Sequence, residues 1–117
     1  MKYTIYHNPR CRKSREGLDY IKSKGLEIEI TEYLKNPLTV SQLENLIELL
    51  GVEPLSLVRT NEAIWKDNFK GKTYAPDEII NILAEYPKLI ERPIISNGIT
   101  AIVGRPLENL IHFLEVN

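Results

Sequence analysis

The chain has 117 residues, 43% hydrophobic and 26% charged, with a formal net charge of −1 and a single cysteine. That length buries one sizeable core and leaves no room for a second large one, and the near-zero net charge excludes the broad basic field that non-specific nucleic-acid binding needs. One cysteine excludes an internal disulfide, a cysteine-rich zinc cluster and an internal dithiol couple.

The first element is Lys2 to Tyr6, a short β-branched and aromatic run that reads as a strand. It leads into Tyr6-His7-Asn8-Pro9-Arg10-Cys11-Arg12-Lys13-Ser14-Arg15, which holds the cysteine and four of the fifteen basic residues. A helix is expected from about Arg12 to Lys24, with Leu18 and Ile21 on one face and Gly25 at its end. Leu26, Ile28 and Ile30 then alternate with Glu27, Glu29 and Thr31, so the period switches to that of a strand ending near Tyr33. This makes a βαβ unit, with parallel strands and a right-handed crossover.

The middle of the chain is helical. Asn36-Pro37 is a turn, and Thr39 with Gln42 matches a capping box ahead of Val40, Leu43, Leu46, Ile47 and Leu50, with Gly51 as the stop. Pro54 to Asn68 suggests one or two shorter helices, and Lys70-Gly71-Lys72 a loop. Pro76 opens a further helix with Ile79, Ile80, Ile82, Leu83 and Tyr86 on its apolar face, ended by Pro87. Sheet returns at Ile94-Ile95 and Ile99 to Val103, joined through Asn97-Gly98, which suits a type I′ turn. After Gly104-Arg105-Pro106, the residues Leu107, Leu110, Ile111 and Leu114 mark a last helix.

The order βαβ, helical segment, ββα predicts an α/β fold: a four-stranded mixed sheet with helices on both faces and a helical insertion at about 37–90. The insertion shares too much apolar patterning with the rest to stand alone, so one domain over 1–117 is expected. No run approaches ~20 apolar residues and the N-terminus lacks a signal-like apolar segment, so neither a membrane span nor secretion is expected. The expected setting is the cytoplasm, and the expected state a monomer.

A lone cysteine inside a cell is more often an inert buried residue. Cys11 differs in its surroundings. At a strand-to-helix junction the free N–H groups of the first turn and the helix dipole favour a thiolate, and the neighbouring cations act in the same direction. Lys13 and Arg15 fit an exposed helix face, Arg10 is open, and His112 and Trp65 fit packing roles. Arg59, Arg92 and Arg105 are each explicable as solvated or as partners of Glu62, Glu91 and Glu108; Arg92 and Arg105, however, flank the hairpin expected beside the first strand.

Four motifs taken together resemble those of the glutaredoxin-coupled arsenate reductases: Tyr6-His7-Asn8-Pro9-Arg10-Cys11, Leu57-Val58-Arg59 with Asn61-Glu62, Glu91-Arg92-Pro93-Ile94-Ile95 and Gly104-Arg105-Pro106. The resemblance covers essentially the whole chain and implies a thioredoxin/glutaredoxin-like fold. It also implies Cys11 as nucleophile, Arg59, Arg92 and Arg105 around a small oxyanion, and a cis Pro93 beside the thiol. Ser14 stands where a second cysteine would resolve a disulfide, so the second thiol is expected from outside, as glutathione with glutaredoxin. Its hydroxyl is expected to donate to the Cys11 thiolate, with His7 assisting if protonated. No metal and no bound cofactor are expected. The same family includes Spx-like regulators that bind RNA polymerase, many of which carry the second cysteine that is absent here. A glutaredoxin-like thiol transferase is a further alternative, which would need a glutathione groove in place of a tight oxyanion pocket.

Overall fold

A computed structural model describes residues 2–116. The elements in chain order are β1 (Lys2–Tyr6), α1 (Arg12–Ser23), β2 (Glu27–Thr31), α2 (Val40–Leu50), α3 (Ala63–Asn68), α4 (Pro76–Glu85), β3 (Ile94–Ser96), β4 (Ala101–Val103) and α5 (Leu107–Val116), with short 3-10 turns at Pro54–Leu57 and Pro87–Leu89. The chain forms two compact units: one runs to Asn36 and resumes at Arg92, and the other is Pro37–Glu91.

In the first unit the strands form one mixed sheet in the order β2-β1-β3-β4, the α/β plan of a thioredoxin-like fold. β1 and β2 are parallel, with Tyr6 opposite Thr31. β3 runs antiparallel to β1, with Tyr6 opposite Ile94, and β4 pairs β3 with Val103 opposite Ile94. This register has a direct consequence for function. The segments following Tyr6, Thr31 and Val103 and the segment preceding Ile94 all leave the sheet at the same end, although they are up to about 100 positions apart in sequence.

Period-2 alternation places Tyr3, Ile5 and Ile95 on one face of the sheet, where Leu18 and Ile21 of α1 and Leu110 and Phe113 of α5 complete a core. Tyr3 and Phe113 meet edge to face at 6.4 Å between centroids. α1 stops because Gly25 takes φ +67 just beyond it, a conformation that costs a residue with a Cβ roughly 1–2 kcal/mol.

The second unit is helical. Thr39 accepts from the Gln42 N–H while Gln42 Oε1 accepts from the Thr39 N–H, so the capping box predicted from sequence is formed. Pro76 occupies the first turn of α4, and Glu78 reaches back to the Ala75 N–H at 2.7 Å. Trp65, Phe69, Tyr74 and Tyr86 form a ring cluster with centroid separations of 5.5 to 6.0 Å, so Trp65 is a packing residue.

The hairpin departs from expectation. A type I′ turn needs positive φ at both Asn97 and Gly98, yet Gly98 alone takes it, at φ +89. The Asn97 side chain decides this, because Oδ1 accepts from both Ile99 N–H and Thr100 N–H at 2.8 Å and closes a longer loop. β4 therefore begins at Ala101, and Ile99 projects outward, 72% exposed.

Candidate active site

Cys11 is the residue immediately before α1, with the extended backbone of an N-cap, φ −91 and ψ 121. The sulfur faces the open first turn of the helix. Its approach is fixed by the preceding loop: Asn8 Oδ1 accepts from the Arg10 N–H at 3.0 Å, Asn8 O from the Cys11 N–H at 3.0 Å, and Pro9 O from the Arg15 guanidinium at 3.0 Å. Asn8-Pro9 thus folds the chain so that the thiol meets the open first turn of the helix.

Burial by itself would push the Cys11 thiol up, but it is outweighed. The Ser14 backbone N–H, the Arg92 guanidinium as both donor and charge, and the Lys13 backbone N–H together hold the thiol below its ordinary value. The nucleophilic form is therefore present above that lowered pKa and is lost as pH falls through it. We expect the iodoacetamide alkylation rate of Cys11 to reach half its maximum below the ~8.5 of a free cysteine. A midpoint at or above that value would remove the case for an activated thiol.

Two supporting roles differ from expectation. The group that Ser14 offers the thiol is its backbone N–H, not its hydroxyl. The hydroxyl is fully buried, lies 2.6 Å from His7 Nδ1 and accepts from the Asn8 N–H at 3.0 Å, so it fastens the loop to the helix. His7 in turn is buried, and burial, with smaller opposing contributions from nearby charges, pushes its pKa below the ordinary 6.5. At neutral pH it is an uncharged hydrogen-bonding partner of Ser14 and adds no positive charge to the site.

The sheet register explains how Arg92 reaches a thiol 81 positions away. Arg92-Pro93 directly precedes Ile94, which pairs with Tyr6 at the mouth of the cysteine loop. The Arg92–Pro93 peptide is cis, as is Arg105–Pro106. Pro93 is fully buried, and the Gly104 N–H donates to its carbonyl at 2.8 Å, tying the Arg105 loop to the Arg92 loop. Arg105 is half-buried one residue further on, and its carbonyl accepts from Asn109 Nδ2 at 3.2 Å. Arg59 belongs to the second unit. There its N–H donates to Leu89 O at 2.7 Å and its Nε lies 3.7 Å from Glu62 Oε1, while its Nη1 is buried with no hydrogen-bond partner among the described residues.

Gly17 and Gly104 are positioning residues; sequence reasoning passes over Gly17 and meets Gly104 only as part of Gly104-Arg105-Pro106. A Cβ on Gly17 would lie 3.1 Å from Pro93 Cγ, and one on Gly104 would lie 2.8 Å from Ile95 Cδ1 and 3.3 Å from Pro93 Cγ. Gly17 costs its helix about 1 kcal/mol against alanine, and the return is close approach of the proline ring. Gly104→Ala is expected to lower unfolding free energy by about 1–3 kcal/mol through overpacking against Ile95 and the rigid ring. It should also raise the Cys11 alkylation midpoint by displacing Arg92. A denaturant titration beside the pH–rate curve checks both; unchanged stability and midpoint would show that Pro93 is not held by this contact.

Chemically, the arrangement offers a polarised thiolate and, beside it, a guanidinium whose Nε is buried without a hydrogen-bond partner among the described residues. A buried donor lacking an acceptor costs roughly 1–3 kcal/mol, a cost removed when an anionic oxygen arrives. The site is suited to bringing a thiolate and an oxyanion together.

Comparison with known proteins agrees with that chemistry. The sequence matches the ArsC family over residues 6–113. It is 35% identical over 116 residues to an arsenate reductase of Haemophilus influenzae, covering 97% of this chain and 100% of that one. It is 37% identical over 112 residues to the uncharacterized protein YfgD of Escherichia coli, covering 94% of each. The solved structure of an arsenate reductase from Vibrio cholerae superposes with a TM-score of 0.90 at 36% identity, over 96% of this chain and 97% of that one.

Proposed function

Because the chain belongs to the ArsC family, we propose that it reduces arsenate to arsenite through Cys11, using an external thiol. The observation that carries this reading is the Cys11 thiol held by the Arg92 guanidinium and by the Ser14 and Lys13 N–H groups, next to the Arg92 Nε that finds no hydrogen-bond partner among the described residues.

Arsenate near neutral pH is a tetrahedral dianion or monoanion, so a thiolate that approaches it meets charge repulsion. Arg92 offsets that repulsion and, being a planar fork, can hold oxygens in a fixed direction. Cys11 Sγ attacks arsenic, an As–O bond breaks, and the departing oxygen takes up protons and leaves as water, giving a thiol-linked arsenate still at As(V). Donors already in place for the departing charge stabilise that step. Glutathione supplies the second thiol and glutaredoxin completes the cycle. Across the reaction two thiols are oxidised to one disulfide, arsenic gains two electrons, and one water is released. Arg59 and Arg105 are assigned to the remaining oxygens on the resemblance alone. His7, Ser14 and Pro93 hold the loop, the helix start and Arg92 in place. The chain works in this scheme as a monomeric cytoplasmic domain without a resident cofactor.

The test is a coupled assay of the purified protein with arsenate, glutathione, glutaredoxin and an NADPH-dependent glutathione reductase. Arsenate-dependent NADPH consumption is expected. Its absence, with turnover of a glutathionylated peptide instead, would replace arsenate reduction with thiol transfer.

A further inference from the structure

Beside the thiol loop lies a groove of about 410 Å³ lined by Asn8, Pro9, Arg10, Glu32, Leu34 and Lys35. It exists because β1 and β2 are parallel and in register at their ends, Tyr6 opposite Thr31, so the segments that follow them diverge side by side. Both walls are fixed. On one side the Asn8 side chain turns the chain at Arg10; on the other, Glu32 O accepts from the Lys35 N–H at 3.0 Å and the Asn36 N–H at 2.9 Å, making a tight turn. The volume lies within the range of small-ligand sites.

Its charges are distinctive. Arg10 and Lys35 are exposed and Glu32 is half-buried, and none of the ion pairs among the described residues includes any of the three. Elsewhere on the same unit the cations Lys2, Arg12 and Lys13 do find carboxylates. Two cations and one carboxylate line a groove whose wall runs directly into Cys11. The only cysteine of the chain cannot form a disulfide with itself, so any reductive cycle through it brings a second thiol to this end of the sheet.

Resting on the reading of Cys11 as the thiol that attacks arsenate, we propose that this groove binds the thiol co-substrate, a small peptide thiol carrying two carboxylates and one ammonium. Arg10 and Lys35 receive the carboxylates and Glu32 the ammonium. Leu34 contributes apolar contact to the peptide backbone. The co-substrate thiol is thereby held beside the arsenic attached to Cys11, on the side of Asn8 and Arg10. Exposed ionic contacts are individually weak, so the groove supplies orientation and a modest affinity.

The experiment has two arms. In the first, S-methylglutathione, which cannot react, is titrated into the protein labelled for amide NMR. Shifts are expected at Arg10, Glu32, Leu34 and Lys35 and are expected to weaken in Lys35→Glu. Shifts confined to other surfaces, or the same shifts in Lys35→Glu, would overturn the proposal. This arm does not depend on arsenate, so the groove can hold even where arsenate reduction fails.

In the second, steady-state turnover is compared for glutathione and for the uncharged thiol β-mercaptoethanol. Lys35→Glu and Glu32→Lys should each raise the KM for glutathione about threefold or more. The KM for arsenate and the rates with β-mercaptoethanol should be unchanged. A KM for glutathione that does not move, or equal losses with both thiols, would show that these side chains do not select the co-substrate.

Discussion

Replacing Cys11 with serine is expected to abolish arsenate-dependent turnover, by roughly 10³-fold or more, and at the same time to stabilise the protein. The loss follows from acidity. The donors that hold the thiol below its ordinary value are the Ser14 and Lys13 N–H groups and Arg92; they favour an anion, but a serine hydroxyl lies many units higher and stays protonated. The gain in stability follows from position. Cys11 has the extended backbone of an N-cap, and the Ser14 and Lys13 N–H groups that face its sulfur are the donors a serine hydroxyl caps, serine being among the best capping residues, worth about 0.5–2 kcal/mol against alanine. The coupled assay and a urea melt on the same preparation check the pair. A variant that keeps measurable turnover would remove Cys11 from the chemistry, and one that loses stability would mean the thiol itself contributes to the fold.

Arg92→Ala is expected to lower kcat by about 10²–10³-fold, the range found when a preorganised oxyanion donor is lost. It should also raise the Cys11 alkylation midpoint, since both the hydrogen bond and the charge of Arg92 hold the thiol down. Arg92→Lys separates the two effects. A lysine retains positive charge and should keep much of the lowered midpoint, while losing the planar fork and therefore most of kcat. If Arg92→Lys restored both kcat and midpoint, the guanidinium would be acting as a point charge and not as an oriented donor for oxygen.

Much of the fold was legible locally because the deciding interactions span few residues. The capping box at Thr39 and Gln42 closes within one turn. Gly25 and Gly51 end helices by taking the left-handed conformation at φ +67 and +65, and Pro76 starts one because its missing N–H is not needed there. Asn97-Gly98 misled for the converse reason. The dipeptide alone favours a two-residue turn, but Asn97 is buried and its Oδ1 takes two backbone donors across a longer loop. The Ser14 hydroxyl likewise lies one helical turn from the thiolate in sequence, whereas a fully buried hydroxyl follows the partners its surroundings supply, here His7 and Asn8.

The order βαβ, helical segment, ββα, and the position of the one cysteine at the start of a helix, are legible along the chain alone. These rest on periodicity and capping, whose ranges are two to four residues. Which groups surround the thiol is settled by pairing across the sheet. The pairing of Tyr6 with Ile94, Thr31 and, through Ile94, Val103 brings the cysteine loop, Arg92-Pro93, Gly104 and the Glu32–Lys35 turn to one end of the sheet. Such register is set by burial of Tyr3, Ile5 and Ile95 against α1 and α5, since a slip of one residue would turn each strand's apolar side chains to the opposite face. The charge state of His7 was decided in the same way, because burial sets it and burial is a property of the packed molecule.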